Sequence, residues 1–499
     1  MSPGRPPERR RPRPAAGSGK TPGKTQTPGT TQAPGKTQAP STTQPPSKVD
    51  AARLLAYDVL VAVRVDDAYA NLVLPQLLRE QGLATRDAAF ATELVGGTLR
   101  GQGTYDAVID HLAGREPDPA VRDALRLGAH QLLAMRVPDH AAVTSTVELV
   151  RARVGHKPAG FTNAVMRRIS ERDLDTWMAD LGAPLGVRTS HPTWIVDELD
   201  HALSRPDELE ALLRADNERP RVTLVARPGL STVAELGGDP VAISPLAAVL
   251  DGGDPGAVPA VRDGRAGVQD AGSQLVALAL SRAQVDGRDA RWLDLCAGPG
   301  GKAALLAALA TRSGARLLAN ERLPHRSVLV RQALRATIGD VVTGDGIRPA
   351  WAPGTFDRVL VDAPCSGLGA LRRRPESRWR RTPADVGDLV PLQRALLDAA
   401  LDSVRPGGVV VYATCSPLVA ETAGVVRAVL AARDDVDLED AAPLVPEARD
   451  AASAHLDGAV QLWPHRHGTD AMFLALLRRR ADQAVVGGPD GVAPATIST

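Results

Sequence analysis

Between residue 49 and about residue 170, apolar side chains recur three and four positions apart: Leu54, Leu55, Val59 and Leu60, then Leu74, Leu77 and Leu78, then Phe90, Leu94, Val95 and Leu99. That spacing puts them on one stripe of a 3.6-residue turn, and strand-like alternation is scarce, so the segment predicts an all-helical bundle. From Trp292 onward the pattern changes. Short apolar runs (Ala315 to Asn320, Val341 and Val342, Phe356 to Val361, Gly408 to Ala413) alternate with amphipathic stretches. Strands alternating with helices predict an α/β unit with a doubly wound, mostly parallel sheet. Between the two lies a transition region, opened by Ser190-His-Pro-Thr-Trp-Ile-Val and Arg221-Val-Thr-Leu-Val-Ala-Arg-Pro, that mixes β-rich runs with stretches such as Asp251-Gly-Gly-Asp-Pro-Gly. It reads as a small subdomain attached to the α/β unit. The expected layout is a tail over 1–48, a helical domain over 49–180, a linking subdomain over 181–285, the α/β domain over 286–480 and a tail over 481–499.

Composition refines this. The chain has 499 residues and a net charge of +1, long enough for two or three domains. Its first 48 residues are Pro, Gly, Thr, Gln and basic residues in an imperfect repeat, with almost nothing to bury, and predict disorder. The cluster Arg9-Arg10-Arg11 with Arg13 adds a candidate for non-specific attraction to nucleic acid. No apolar run approaches the roughly 20 residues of a membrane span, and no signal-peptide core is present. A cytoplasmic protein is expected, without membrane contact and with thiols kept reduced. The three cysteines, Cys296, Cys365 and Cys415, form no Cys-x-x-Cys pair, which argues against a zinc site or a disulfide scaffold.

The most informative stretch is Trp292-Leu-Asp-Leu-Cys-Ala-Gly-Pro-Gly-Gly-Lys302, an apolar strand ending in an acid, clustered glycines, then the Ala/Leu-rich helix start of 303–310. Such a turn lets backbone approach a ligand, with helix N–H groups facing it. A phosphate-binding loop fails here, because Cys296 and Ala303 stand where that motif needs Gly and Ser or Thr. The dinucleotide pattern is met formally by Gly298, Gly300 and Ala303, but a nicotinamide dehydrogenase leaves the thiols unexplained. In doubly wound sheets ligands sit beyond the carboxyl ends of the strands. Those ends carry, in order, the glycine turn, Glu321, Asp345, Asp362-Ala-Pro-Cys365 and Thr414-Cys415-Ser416. Glu321 suits ribose hydroxyls, and Asp345 suits an adenine edge.

If strands four and five are neighbours, about 4.8 Å apart, Cys365 and Cys415 emerge side by side. Two thiols with a carboxylate beside them suit methylation of a pyrimidine ring carbon: a thiolate adds to carbon 6, carbon 5 becomes nucleophilic, and a sulfonium methyl is taken up. Asp362 is the candidate for holding the base edge. Residue chemistry leaves open which thiol is the nucleophile.

Asp294-Leu-Cys-Ala-Gly-Pro-Gly-Gly-Lys, Asp362-Ala-Pro-Cys-Ser-Gly and Tyr412-Ala-Thr-Cys-Ser resemble the motifs of the RsmB/NOP (Sun) family of RNA cytosine carbon-5 methyltransferases. Gln269-Asp-Ala-Gly-Ser-Gln and Trp463-Pro-His-Arg-His-Gly-Thr-Asp resemble further family segments. Tyr105-Asp-Ala-Val-Ile-Asp, Leu125-Arg-Leu-Gly-Ala-His-Gln-Leu-Leu and Gly160-Phe-Thr-Asn-Ala-Val-Met-Arg-Arg-Ile resemble a NusB-like RNA-binding domain, an arrangement similar to the RsmB branch. The resemblance implies a Rossmann-like class I methyltransferase fold, Cys415 as nucleophile and Cys365 as the thiol that helps release product. It also implies S-adenosyl-L-methionine against Cys296, Ala297, Gly298, Pro299, Gly300, Gly301, Lys302, Glu321, Asp345 and Asp362, with no metal. Ribosomal RNA of the small subunit is the implied substrate and a monomer the expected state; tRNA or another RNA, or a non-catalytic assembly factor, are the alternatives. A DNA cytosine methyltransferase uses the Pro-Cys thiol alone, so Cys415 speaks against one.

The loop Arg372-Arg373-Arg374-Pro-Glu-Ser-Arg378-Trp-Arg380-Arg381 follows Cys365 directly. Guanidinium groups with an interleaved aromatic suit a phosphate backbone and an unstacked base, so these six arginines are the expected RNA contacts. Arg53, Arg100, Arg167 and Arg168 are further candidates on the helical domain.

Overall fold

The computed structural model describes residues 49–481. The expected tails, with the basic cluster at Arg9 to Arg13, lie outside the described residues except for Ala481. Residues 51–169 form seven helices. The first, Ala51–Val65, opens on Asp50, whose side chain accepts from Arg53 N at 2.9 Å, and Asp118 caps Pro119–Leu133 in the same way. Such caps satisfy N–H groups that a helix start leaves unpaired. The bundle closes over two apolar clusters, one built on Leu55, Val59, Leu94 and Leu127 and one on Val108, Ile109, Leu125 and Met166.

Helices continue past residue 180. Thr193–Leu203 and Leu209–Ala215 bury Ile195, Leu199, Leu212 and Leu213 against Leu368, Leu371, Trp463 and Ala471 of the α/β part. The linking segment then folds as a four-stranded antiparallel sheet of β1 (Val222–Ala226), β2 (Asp239–Pro240), β3 (Ala247–Leu250) and β4 (Ala266–Val268), in the order β2-β3-β1-β4. The sheet has its own small core around Leu224, Leu236 and Ala248.

The main sheet comprises β5 (Arg291–Asp294), β6 (Arg316–Glu321), β7 (Gly339–Thr343), β8 (Phe356–Asp362), β9 (Val404–Thr414), β10 (Val436–Glu439), β11 (Val460–Gln461) and β12 (Phe473–Arg479). Its order is β10-β12-β9-β8-β5-β6-β7, with β11 paired to β12. The five strands from β9 to the β7 edge pair in parallel, while β12 runs antiparallel to β9 and β10 antiparallel to β12. Alternation along β9 divides the core: Val409, Val411 and Ala413 pack under the helices Ala271–Arg282 and Gly301–Arg312, while Val410 and Tyr412 pack under Pro383–Ser403 and Ala423–Ala432. The chain leaves β5 toward β6 and β7, then returns to β8 on its other side. The carboxyl ends of β5 and β8 therefore flank the switch in strand order, where such sheets form a ligand crevice.

Candidate active site

At the end of β5 the chain turns through the glycines into the helix Gly301–Arg312. A Cβ on Gly298 would overlap Glu321 Oε2, and Gly300 takes φ +112° with Ala333 Cβ only 2.6 Å from where its own would lie. Neither position has room for a side chain, so the turn packs as bare backbone against Glu321 and the helix Pro324–Ala333, leaving its main-chain groups as the edge between β5 and β6. Ala297 N donates to Asn320 O at 2.8 Å, Asn320 Nδ2 to Leu295 O at 2.9 Å and Arg326 Nη2 to Gly298 O at 2.6 Å, which fasten the turn to the end of β6. Glu321 is buried beside the turn, and its Oε1 accepts from Leu323 N at 2.8 Å. Asp345 is exposed and caps its own turn through Ile347 N at 3.1 Å.

One group that sequence reasoning left unassigned is Asp294. Its carboxylate is fully buried and neither oxygen has a hydrogen bond of normal geometry. Burial, and then the nearby Asp362 carboxylate, push its pKa up to about 8. A buried polar group without partners is costly. The under-partnered Asp294 carboxyl and the turn of bare backbone together fit a bound cofactor that brings polar groups to that turn.

The neighbouring strand ends carry the sulfurs. β8 and β9 run in parallel register with Asp362 opposite Ala413, and Ala363 N donates to Ala413 O at 2.9 Å. Cys365 Sγ and Cys415 Sγ lie 3.4 Å apart. Both are free thiols and half-buried. Lys302 Nζ donates to Asp362 Oδ2 at 2.8 Å, with their side chains 11% and 26% exposed. The glycine turn, the carboxylate of β8 and the two thiols thus share one crevice.

The two thiols differ in surroundings. The hydrogen bond from Cys365 is the main influence holding the Cys415 thiol below its ordinary range, and the Lys302 ammonium favours the same thiolate. Cys365 is held above its ordinary range by that shared hydrogen bond, by burial and by the charge of Glu421. The shared hydrogen bond thus favours a thiolate on Cys415, which Lys302 aids while burial and Asp362 oppose it, and Glu421 adds to the cost of ionising Cys365.

The arginine loop is placed differently from expectation. Arg378 is fully buried, with Nη1 donating to Asn217 Oδ1 at 2.7 Å and to Ser190 O at 3.0 Å. Arg380 Nη2 donates to Val63 O at 2.7 Å and Ala68 O at 2.6 Å, and Arg374 lies 4.9 Å from the Tyr69 ring. Arg373 bridges Asp270 at 2.8 Å and Asp470 at 3.1 Å, Arg372 Nη1 donates to Gly468 O at 3.1 Å, and Arg381 Nε donates to Ser366 O at 3.0 Å. Arg378 and Arg380 therefore tie the loop to the helical bundle and the linking segment, Arg372, Arg373 and Arg381 bond outside the bundle, and Arg374 stays exposed over Tyr69, because a guanidinium's fork of donors serves buried carbonyls as well as phosphates. Of the bundle candidates, Arg53 bonds Gln131 at 2.7 Å, Arg100 bonds Glu93 at 3.2 Å and Arg168 bonds Leu112 O at 3.0 Å, while Arg167 is exposed.

Comparison with known proteins agrees with this architecture. Residues 283–478 match the family model described as 16S rRNA methyltransferase RsmB/F, and residues 50–171 match that of the NusB family. A Mycobacterium tuberculosis protein named as a methyltransferase is 52% identical over 86% of this chain and 97% of its own length. Ribosomal RNA small subunit methyltransferase B of Salmonella typhi is 34% identical over 78% of this chain and 91% of its own. The crystal structure of PH0851 superposes with a TM-score of 0.70 at 21% identity, covering 86% of this chain and 99% of that one, which speaks for the fold.

Proposed function

Because the chain belongs to the RsmB/F family of 16S rRNA methyltransferases, we propose that it methylates carbon 5 of a cytosine in small-subunit ribosomal RNA through a covalent adduct to Cys415. S-adenosylmethionine, the family's cofactor, supplies an electrophilic methyl group when bound. The observation that carries the reading is the 3.4 Å approach of two thiols at the carboxyl ends of β8 and β9, beside the Lys302–Asp362 pair.

Each residue then has a defined task. The Cys415 thiolate forms a bond to carbon 6 of the target cytosine, and the electrons of the ring double bond move toward carbon 5, dividing one difficult step into easier ones. Asp362 accepts from the exocyclic amine or shares a proton with the ring nitrogen, which stabilises the charge pushed into the ring. Lys302 orients Asp362 through its 2.8 Å hydrogen bond and favours the Cys415 thiolate. After the methyl has been taken up at carbon 5, the proton there leaves, the carbon 6–sulfur bond breaks, and Cys365 assists that expulsion from its place against Cys415. Glu321 accepts hydrogen bonds from the cofactor at the turn between Cys296 and Lys302, with the buried Asp294 carboxyl behind that turn. Asp345, exposed just beyond β7, is the candidate for contact with the adenine edge.

The relatives' names support ribosomal RNA as the substrate class. The test is bisulfite sequencing of small-subunit RNA from cells with and without the gene, with purified Cys415→Ala and Cys365→Ala proteins assayed alongside. The expected result is loss of one 5-methylcytosine on deletion, no transfer by Cys415→Ala, and a protein–RNA adduct on Cys365→Ala that survives denaturing gels. An adduct that requires Cys365 and persists without Cys415 reverses the two roles.

A further inference from the structure

Ser366 and Ser416 each follow one of the paired cysteines, and both converge on one carboxylate on a different turn of chain. Glu421 Oε2 accepts from Ser366 Oγ at 2.5 Å and from Ser416 Oγ at 2.6 Å, while Oε1 accepts from Ser366 N at 2.7 Å and Gln393 Nε2 at 3.0 Å. Tyr412 Oη also donates to the Glu421 main-chain oxygen at 2.7 Å. The residue is 0% exposed and every one of these donors is neutral. A carboxylate taken out of water without a cation is expensive unless its lone pairs are filled, and four donors fill them here. Apolar packing could occupy the same volume, but it could not tie two separate loops to a single atom.

We propose that Glu421 is a positioning residue for the reaction, a buried clamp that fastens the Cys365 loop to the Cys415 loop and so holds the two sulfurs face to face. This rests on the reading of those cysteines as the reacting thiols. The clamp also has a sign. Its negative charge faces Cys365, whereas Lys302 faces Cys415; Asp362 bears on both thiols and Asp470 on Cys415. Glu421 thus discourages ionisation of the wrong sulfur while its hydrogen bonds fix the distance over which the pair shares a proton.

The test uses the full chain without RNA or methyl donor. Iodoacetamide labelling followed by peptide mapping reads which sulfur carries the thiolate, and diamide oxidation reads how readily the two sulfurs meet. Glu421→Gln removes the charge, and the share of label on Cys365 relative to Cys415 should rise about tenfold, the effect of one partly buried charge. Ser366→Ala combined with Ser416→Ala keeps the charge and removes both hydroxyl ties, leaving the Ser366 main-chain N–H on Glu421. That variant should form the Cys365–Cys415 disulfide about tenfold more slowly, as orientation is lost, with its labelling ratio near wild type. Glu421→Ala should show both changes. If circular dichroism reports an unfolded Glu421 variant, the double serine variant decides on the disulfide rate alone. Wild-type labelling ratios in folded Glu421→Gln, or a wild-type disulfide rate in the double variant, overturn the proposal. Failure of the wild-type chain to methylate cytosine would instead sink the proposed function, and leave these two readouts standing.

Discussion

Replacing Arg378 by methionine separates a docking role from RNA contact. The guanidinium donates to Asn217 Oδ1 at 2.7 Å, Ser190 O at 3.0 Å, Asp216 O at 3.2 Å and Arg100 O at 3.3 Å. Methionine keeps much of the volume but orphans four acceptors. The Ser190 and Asp216 carbonyls lie in fully buried surroundings, where an unsatisfied group costs about 1–3 kcal/mol; the other two recruit water and cost less. The loss is moderated because burial already works against the guanidinium, holding its pKa down to about 10, and a neutral side chain escapes that penalty. The net expectation is destabilisation on the order of 2–4 kcal/mol, read as a shift of the urea unfolding midpoint of the full chain. Binding of a ribosomal RNA fragment, measured from low to moderate salt on the folded protein, should keep its slope of log affinity against log salt. A phosphate-contacting arginine would instead lower that slope by about 1. Unchanged stability with a slope reduced by that amount refutes the docking role.

Other substitutions probe the crevice. Gly298→Ala should abolish binding of S-adenosylmethionine by calorimetry while leaving the fold intact, since the new methyl overlaps Glu321 Oε2; retained affinity would show that the turn is not the cofactor site. Lys302→Met should slow alkylation of Cys415 at neutral pH by about tenfold, because the thiolate loses a cation that favours it. Asp294 has a folded-state pKa near 8, raised above an unfolded value of about 3.9, so the folded state holds a proton that the unfolded state has released. Its effect on stability is absent below the unfolded pKa and grows increasingly adverse as pH rises from about 4 to about 8. Asp294→Asn should flatten thermal stability over that window in the cofactor-free protein, and an unchanged pH profile would show that Asp294 is not held protonated.

Much of this was legible because strand ends obey a local rule. Cys296, Glu321, Asp345, Asp362, Cys365 and Cys415 each follow an apolar run, and a doubly wound sheet brings such positions to one edge. The helical bundle was legible from spacing alone. The arginine loop was not, since composition records charge but not direction: Arg378 and Arg380 look identical in sequence whether they face phosphates or the carbonyls of Ser190 and Val63. Glu421 resembled any solvated acid, and its place became evident once Ser366 and Ser416 were seen on either side of it. The antiparallel strands β10 and β12 escaped because Phe473 to Leu477 is a continuous apolar run with no turn signal tying it to β9. Helices between 185 and 215 were missed behind prolines and short lengths, and their partners Leu368 and Trp463 lie far along the chain.

A strap of backbone connects Cys365 to the distant bundle. It leaves Cys365 through Ser366, is pinned midway by Arg373 on Asp270 and Asp470, and ends with Arg374 and Arg380 over Tyr69. Arg381 then returns a hydrogen bond to Ser366, 15 residues back. The loop that seats Cys365 is thus anchored at its far end on the helical bundle, so the two halves of the chain share one continuous tie.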